Sequence, residues 1–435
     1  MICNILDFGA VGDGHTDDTA AIQAAIDACR KNGGGKVVFP GGHTYRSGKL
    51  NLCSDLELHF EMSAVLKGSD RLQDYATENV QGSSPLLQGT PSYENCTYNG
   101  LPKHFFLYGK DCENIAITGF GRIDGNEEIF YGEVTKWHIE GIFYPRVPML
   151  FLENVTQVTL RDVTFANSAF WTVHLVGCRD VLIDGIRIRN NLRMANCDGI
   201  DPDHCQNVRI ANCHIQCADD CIVFKNTAAA MQYGPCENIT VTNCTLISTS
   251  AAIKFGSESE APFRNIFVEN CCISRSNRGI SLQLRDKGAI ENVAFHNISI
   301  ETRLFHPEMF WGAAEPIAIT VLRRTEDTNV GTIKNVRFRN IFCRSENGIL
   351  LYGEAPDHIS DISFDRVTLS LCNTTKYQKG NHDLRPTVGP KSTCDAPHFV
   401  YAHNCKCIDF ANCSFSSTEA ITTPYIIDQC ADIDL

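Results

Sequence analysis

The sequence predicts an all-β protein, a single-stranded parallel β-helix with an N-terminal capping helix. A segment of about eleven residues recurs in which apolar and polar residues alternate, as in "CENITVTNCTL" from 236 and "FRNIFVENCCI" from 263. A period of two is typical of strands with one buried face. Most repeats begin roughly 23–31 residues apart, which leaves no room for crossover helices. Units this short bury their apolar faces only by stacking on the next unit, which indicates a solenoid.

The N-terminal region differs from the repeats. Residues 16–35, "TDDTAAIQAAIDACRKNGGG", predict a helix that begins near Asp17 or Asp18 and ends at the glycines. Residues 1–45 are therefore expected to cover the open end of one β-helix domain that spans 1–435. Breaks in the repeat predict surface insertions near 70–105, 301–330 and 373–396.

Composition narrows the function classes. The 435-residue chain is 43% hydrophobic and has a formal net charge of -13. Wholesale binding to nucleic acid or anionic membrane needs a basic face and is not expected, whereas a local basic cluster can still bind an acidic sugar. The opening "MICNILDFGA" lacks the basic and apolar segments of a secretory signal. A cytoplasmic location is expected, or secretion if a leader has been removed.

The 22 cysteines are best explained as buried free thiols, because the chain is long and shows no export signal. The alternative is a metal site in one short run. Cys213, Cys217 and Cys221, with His214, are spaced closely enough to share a metal. The run lacks the C-x2-C pairs of a structural zinc site, which favours the thiol interpretation.

Acidic residues concentrate around the stretch "ANCDGIDPDHC", residues 195–205, and the following "CADDC". Asp198 precedes the doublet Asp219-Asp220 by about one coil, so stacking should place these carboxylates on one flank. Neighbouring carboxylates shift each other's pKa, which suits the acid and base of glycoside hydrolysis. A calcium site or a ladder of turns would use the same residues. Asp201 and Asp203 flank a proline and are expected to form a turn.

Three motifs resemble glycoside hydrolase family 28, the polygalacturonase-like enzymes: "NSAFWTVHLVGC" at 167–178, "NCDGIDPDHC" at 196–205 and "CADDCIVFKN" at 217–226. The resemblance implies a right-handed β-helix and hydrolysis with inversion at an α-linked uronic acid of pectin, with no metal or other cofactor. It implies that Asp219 is the general acid and that Asp198 and Asp220 hold and deprotonate water. Asn196 would belong to the substrate-binding part of the same signature.

Two family elements are missing. The histidine of the G-H-G segment aligns with Ala251, and the R-I-K segment aligns with Ser281-Leu282-Gln283. Lys254 and Arg285 are nearby cations that we expect to take over part of the grip on a substrate carboxylate. The predicted substrate-binding residues are Asn196, Lys225, Lys254, Gln283, Arg285 and Trp311.

Sequence context predicts the roles of the aromatic and imidazole side chains near these motifs. Trp311 lies in an insertion beside Glu315 and is a candidate for stacking on a sugar. Trp171 is expected to be packed, and His174 and His204 are expected to be structural.

The sequence as a whole predicts an inverting hydrolase that acts on pectin- or rhamnogalacturonan-derived oligosaccharides from one chain end. A polysaccharide lyase on the same fold and a non-catalytic carbohydrate-binding β-helix are the alternatives. The partner in each case is an oligosaccharide or polysaccharide, and the oligomeric state is open.

Overall fold

The computed structural model describes residues 1–75, 104–139, 147–393 and 396–435. The chain divides into two compact units, an N-terminal unit (1–218 and 228–233) and a C-terminal unit (219–227 and 234–435). Parallel strands of a right-handed β-helix build both, which confirms the predicted fold class. Residues 76–103 of the insertion predicted near 70–105 lie outside the described residues. Within the described ranges, no helix combines the length and apolarity that crossing a membrane requires.

The N-terminal unit begins with the predicted capping helix, α1, which spans Thr19–Lys31. Its apolar face buries Ile22 and Ile26, and Cys29 Sγ lies 3.7 Å from Cys3 Sγ of the first strand. The carboxylate of Asp18 accepts hydrogen bonds from two backbone N–H groups of the preceding turn at 2.7 and 3.1 Å. The helix therefore covers the end of the coil as a terminal cap must.

Among the described residues of the N-terminal unit, nineteen strands follow one another. They are β1 Ile2–Asn4, β2 Asp13–Asp17, β3 Gly35–Phe39, β4 Thr44–Ser47, β5 Leu50–Asn51, β6 Leu56–Phe60, β7 Val65–Gly68, β8 Leu107–Lys110, β9 Glu113–Gly119, β10 Arg122–Asp124, β11 Leu150–Glu153, β12 Thr156–Arg161, β13 Thr164–Ala166, β14 Val173–Val176, β15 Arg179–Asp184, β16 Arg187–Arg189, β17 Ile200–Asp203, β18 Gln206–Ala211 and β19 His214–Cys217.

Each strand of this unit pairs in parallel with its equivalent one coil later. Along β8, β11, β14 and β17 the register aligns Leu107, Leu150, Val173 and Ile200, all of them buried. The sequence repeat thus becomes a stack of apolar side chains inside the coil. Along β12 and β15 the residues that alternate with buried positions are partly or fully exposed.

The part of the C-terminal unit that the structure describes contains seventeen strands. They are β20 Ile222–Asn226, β21 Cys236–Thr242, β22 Thr245–Ser248, β23 Ala251–Ser259, β24 Phe263–Glu269, β25 Cys272–Ser276, β26 Arg278–Leu284, β27 Ala289–Thr302, β28 Ile317–Val321, β29 Thr332–Ser345, β30 Ile349–Gly353, β31 Ile359–Leu371, β32 Val400–His403, β33 Cys405–Ala411, β34 Ser414–Ser417, β35 Tyr425–Asp428 and β36 Ala431–Asp434.

The C-terminal unit repeats the same internal order. Ile222, Ile253, Ile280 and Ile317 occupy one column through β20, β23, β26 and β28. A second column stacks aromatic rings, with Phe295, Phe338, Phe364 and Phe410 separated by 4.9, 4.8 and 4.3 Å between centroids. Two continuous ladders of this kind hold successive coils in one register.

Asparagines recur at equivalent positions within strands β21, β24 and β27. Asn265 and Asn292 both have φ of +56°, in the left-handed region that asparagine tolerates better than most residues. The Asn265 side chain donates to the Asn238 side chain at 3.1 Å, and Asn292 donates to Asn265 at 3.4 Å. The recurring asparagines of the repeat are therefore explained by backbone conformation and by these ladders.

Candidate active site

The acidic doublet Asp219-Asp220 lies in the turn between β19 and β20, with 8% and 1% of its residues' surfaces exposed. Neighbouring coils hold it in place. Ser248 Oγ donates to the backbone oxygen of Asp219 at 2.6 Å. Asp220 Oδ1 accepts from Ser250 Oγ at 3.0 Å and from the backbone N–H of Ala251 at 3.1 Å. The position where family 28 has a histidine thus contributes a backbone donor to the carboxylate.

Lys254 completes the shell of Asp220. Its ammonium donates to Asp220 Oδ2 at 2.7 Å, and 13% of its side chain is exposed. Burial by itself would lower the pKa of Lys254, but the charge of Asp220 outweighs that effect, and the pKa lies above its ordinary value. Lys254, which the sequence predicts to bind substrate, therefore forms an ion pair with Asp220 of the acidic doublet.

The same environment acts in the opposite direction on Asp219. Burial raises its pKa, and the adjacent charge of Asp220 raises it further, while Lys254 and Lys225 partly oppose both effects, so that the pKa of Asp219 lies at about 6. Asp220 accepts three hydrogen bonds, one of them from an ammonium group. The doublet thus combines an aspartate whose pKa is raised with a neighbour whose carboxylate is fixed by hydrogen bonds.

Lys225 is a buried residue of strand β20. Its ammonium donates to Glu258 Oε2 at 3.2 Å. Burial would raise the pKa of Glu258, but Lys225 and Arg324 outweigh it and the pKa is lowered. Lys225 and Lys254 together give the surroundings of the doublet two cations, and both contribute to the pKa of Asp219.

Asp198 and Asn196 belong to the N-terminal unit. Asn196 is half-buried with φ of +54°, and Asp198 is buried just before β17. The backbone oxygen of Asp198 accepts from the N–H of Thr172 at 3.0 Å and from its Oγ1 at 2.6 Å. These bonds fix the backbone on which the Asp198 carboxylate is carried.

Within the C-terminal unit, one carboxylate oxygen of Asp219 lies within 4.8 Å of one of Asp220. Carboxylates this close suit either shared protons or a bound cation. The Lys254 ammonium on Asp220 already supplies positive charge at this cluster. That contact favours acid–base chemistry over calcium binding.

The prediction of a turn at Asp201 and Asp203 was wrong. Both residues belong to strand β17 and are completely buried. His174 Nε2 lies 3.4 Å from Asp203 Oδ2, and its ring packs edge-on against Trp171 at 4.8 Å. Strand β17 continues through the proline, and the residues on either side of it stay extended. Trp171 is packed, and His174 and His204 are buried, as expected.

The expected substrate contact of Arg285 is not what the structure shows. Arg285 is completely buried after β26, and its guanidinium donates to four backbone oxygens, those of Pro386, Leu284, Thr320 and Leu384, at 2.6–3.3 Å. The structure therefore gives Arg285 the task of holding a loop. Burial, with the neighbouring Arg324 and Arg278, lowers its pKa to about 9.

Gln283 and Arg278 hold the same loop, so Gln283 is likewise turned away from its predicted contact with substrate. Gln283 Nε2 donates to the backbone oxygen of Arg385 at 2.6 Å, and Arg278 Nη2 donates to that of Asp383 at 2.9 Å. Arg278 also forms a two-bond ion pair with Glu315 at 2.9 and 3.0 Å. Burial would raise the pKa of Glu315, but Arg278 and His382 outweigh it and hold the pKa well below its usual range.

Trp311 lies at the surface, where 36% of the residue is exposed. The guanidinium carbon of Arg385 lies 5.0 Å from the centroid of its ring. Sequence reasoning did not single out Arg385, because an arginine before a proline inside a long insertion carries no motif. Only the contact with Trp311 draws attention to it.

The described cysteines are all free, as expected, and most of them are buried. Cys213, Cys217 and Cys221 lie in or beside strands β19 and β20. Over the ranges given above, no grouping close enough for a metal ion includes a cysteine. The alternative of a cysteine metal site is therefore not supported.

Comparison with known proteins agrees with this geometry. The family model described as Glycosyl hydrolases family 28 matches residues 68–383, and a model described as Rhamnogalacturonase A/epimerase, pectate lyase-like matches residues 2–70. A probable polygalacturonase from Vitis vinifera is 29% identical over 310 residues, which cover 69% of this chain and 60% of the relative. An exo-poly-alpha-D-galacturonosidase from Dickeya chrysanthemi is 25% identical over 340 residues, covering 69% of this chain and 55% of the relative.

Among solved structures, a hyperthermoactive exopolygalacturonase from Thermotoga maritima matches with a TM-score of 0.71 at 23% identity. The match covers 86% of this chain and 87% of that one, and it shows a shared fold. The chain spans 55–60% of the length of the two curated relatives. Because the first family model matches well over half of the residues, this chain belongs to glycosyl hydrolases family 28.

Proposed function

We propose that this chain is an inverting, exo-acting glycosidase that hydrolyses α-linked galacturonic acid in pectin-derived oligosaccharides. The observation that carries the proposal is the buried doublet, in which Asp219, with its pKa raised to about 6, lies beside Asp220, whose carboxylate accepts a hydrogen bond from Lys254. Hydrolysis of a glycosidic bond needs such a pair, a donor for the leaving oxygen and a carboxylate for the water. Family membership supports the inversion, and the similarity to a probable polygalacturonase and an exo-poly-alpha-D-galacturonosidase supports galacturonan as substrate.

In this mechanism Asp219 donates its proton to the glycosidic oxygen as the bond to the anomeric carbon breaks. Asp220 and Asp198 orient a water and accept its proton as it attacks the opposite face of the sugar. Lys254 holds the Asp220 carboxylate in position, and Lys225 adds a second positive charge nearby. Asn196 is proposed to hold substrate beside Asp198.

Action at a chain end is supported by two insertions of the C-terminal unit. Arg278, Gln283 and Arg285 bind backbone oxygens of residues 383–386, so the insertion 373–396 is fastened onto strand β26. Asp383 Oδ2 accepts from the N–H of Gly312, which joins this insertion to the one at 301–330. A wall fixed this firmly suits a site that accepts the end of a chain.

The test is incubation with defined homogalacturonan and rhamnogalacturonan oligosaccharides, followed by mass and proton NMR analysis. We expect products that have gained one water, release from one end, and an inverted first anomer. Unsaturated products that absorb in the ultraviolet would identify a lyase instead. Turnover of rhamnogalacturonan fragments that contain no homogalacturonan stretch would reassign the substrate.

The matched variants are Asp219→Asn and Asp365→Asn. Asp365 is an aspartate on β31 of the same unit, paired with Arg339 away from the doublet. We expect Asp219→Asn to lower kcat by about a hundredfold to ten-thousandfold, and Asp365→Asn to leave it unchanged. Equal activity of Asp219→Asn and wild type would refute the acid role. Activity that needs added calcium and disappears with a chelator would favour the cation interpretation.

A further inference from the structure

Trp311 and Arg385 come from different insertions but are fixed against the same coil. Asn277 Nδ2 donates to the backbone oxygens of Trp311 and Gly312 at 2.8 and 3.0 Å. Asp383 accepts from Gly312 N–H at 2.8 Å and pairs with Arg385 through two bonds of 2.8 and 3.0 Å. These hydrogen bonds fix the backbone at Trp311 and the side chain of Arg385, so the contact between the two residues is held in place.

Both side chains nevertheless remain accessible. Trp311 is 36% exposed, and 35% of the Arg385 side chain is exposed. Arg385 uses Nε and Nη2 on Asp383, and Nη2 also donates to the backbone oxygen of Phe310 at 3.1 Å. Among the described residues, none hydrogen-bonds Arg385 Nη1. An exposed guanidinium edge beside an exposed indole is therefore presented to solvent.

Strand register places this pair relative to the doublet. The pairing Ile222–Ile253, extended back along the chain, aligns Asp219 with Ser250, and the pairing Ala251–Arg278 aligns Ser250 with Asn277. The Asn277 side chain donates a hydrogen bond to the backbone oxygen of Trp311. Each coil adds about 4.8 Å, so Trp311 is anchored about 10 Å from Asp219 along the coil axis. The Trp311 anchor and the doublet therefore lie two coils apart in the same unit, within the length of a short oligosaccharide.

The charges also single out Arg385. Arg278 and Arg285 are buried on carboxylate and carbonyl groups, and Lys225 and Lys254 are bound to Glu258 and Asp220. Arg385 is therefore the cation of this group with the largest exposed part. A planar guanidinium binds a carboxylate strongly and directionally, and an indole offers an apolar face to the C–H groups of a sugar ring.

We propose that Trp311 and Arg385 form a binding subsite for a uronic acid residue adjacent to the cleaved bond, with Arg385 binding the sugar carboxylate and Trp311 its ring. This inference rests on the proposed function for its substrate class. It assigns to the insertion 373–396 the carboxylate recognition that the missing R-I-K segment does not supply.

The experiment measures calorimetric binding of trigalacturonate to the Asp219→Asn protein, which removes turnover from the measurement. Arg385→Gln in that background should weaken binding about tenfold to a hundredfold, because a hydrogen bond to a charged group is lost. The fully methyl-esterified trisaccharide should bind both proteins equally, since it has no carboxylate for Arg385. Trp311→Leu should weaken both ligands, and it leaves the Asp383–Arg385 pair intact if Arg385→Gln proves unstable.

The matched control is Arg323→Gln. Arg323 is 41% exposed in its side chain and paired with Glu354, in the neighbouring insertion, and its replacement should leave binding unchanged. Unchanged trigalacturonate affinity in Arg385→Gln, or equal losses for acid and ester, would overturn the subsite. Wild-type turnover is measured separately: if the wild type hydrolyses no galacturonate oligomer, the proposed function falls, and the binding comparison still decides the subsite.

Discussion

A single buried aspartate gives the protein its expected pH dependence. Asp219 must be protonated to act as the donor, and burial beside Asp220 raises its pKa to about 6. The protonated fraction falls tenfold for each pH unit above the pKa. We therefore expect kcat/KM to decline as pH rises through about 6, measured with a galacturonate trisaccharide across pH 4–8.

Lys254 offers a second test at this scale, because its charge lowers the pKa of Asp219. Replacing Lys254 by Gln should move the alkaline limb of the kcat/KM profile to higher pH, while lowering activity through the loss of its bond to Asp220. Arg323→Gln should leave the limb in place. An unmoved limb in Lys254→Gln would show that another group controls it.

Stability should also register the cost of ionising Asp219. Its folded-state pKa, about 6, lies above the ordinary 3.8, so stability is greatest below pH 4 and is lost as pH rises to about 6, by on the order of 3 kcal/mol. Asp219→Asn removes this loss and should be more stable than wild type at pH 7 but not at pH 4. Denaturant unfolding at both pH values checks this, and a variant less stable at pH 7 would contradict it.

At the scale of elements, one strand end fastens an insertion. Arg285 donates to the backbone oxygens of Pro386, Leu384 and Thr320 from a fully buried position. Arginine presents these donors in a planar fork that lysine cannot reproduce. The loop at 383–386 therefore depends on a side chain whose sequence position suggested a contact with substrate.

We expect Arg285→Met to lower the free energy of unfolding by about 3 kcal/mol, because buried carbonyl groups lose their donors. Arg285→Lys should restore little of it. Arg323→Met, on the exposed side of the same region, should change stability by less than about 0.5 kcal/mol. Denaturant midpoints measure all three, and wild-type stability in Arg285→Met would refute the anchoring role.

At the scale of the whole molecule, the prediction of one domain over 1–435 leads to a calorimetric test. Apolar and aromatic columns run through successive coils within each unit. Nearest-neighbour stacking propagates order along a solenoid. We propose that the chain unfolds as one body, with a single heat-capacity peak and equal calorimetric and van't Hoff enthalpies. Two resolved peaks would show two independently folding units.

The sequence alone determined the β-helix, the capping helix over Thr19–Lys31 and the prominence of Asp198, Asp219 and Asp220. Period-two alternation and a short repeat admit few architectures, and local patterns carry that information. Asp201 and Asp203 show the limit of local reasoning. A proline suggested a turn there, yet pairing with the neighbouring coil keeps the segment extended and buried.

Only the tertiary structure decided what the basic residues do. Lys254, Gln283 and Arg285 are residue types suited to binding an acidic substrate. Their long side chains instead reach partners far away in sequence, namely Asp220 and the loop at 383–386. Arg385 gained its place beside Trp311 in the same way, through contacts across two insertions. The coil follows from repeating neighbours, whereas the binding surface follows from long-range contacts that no local pattern encodes.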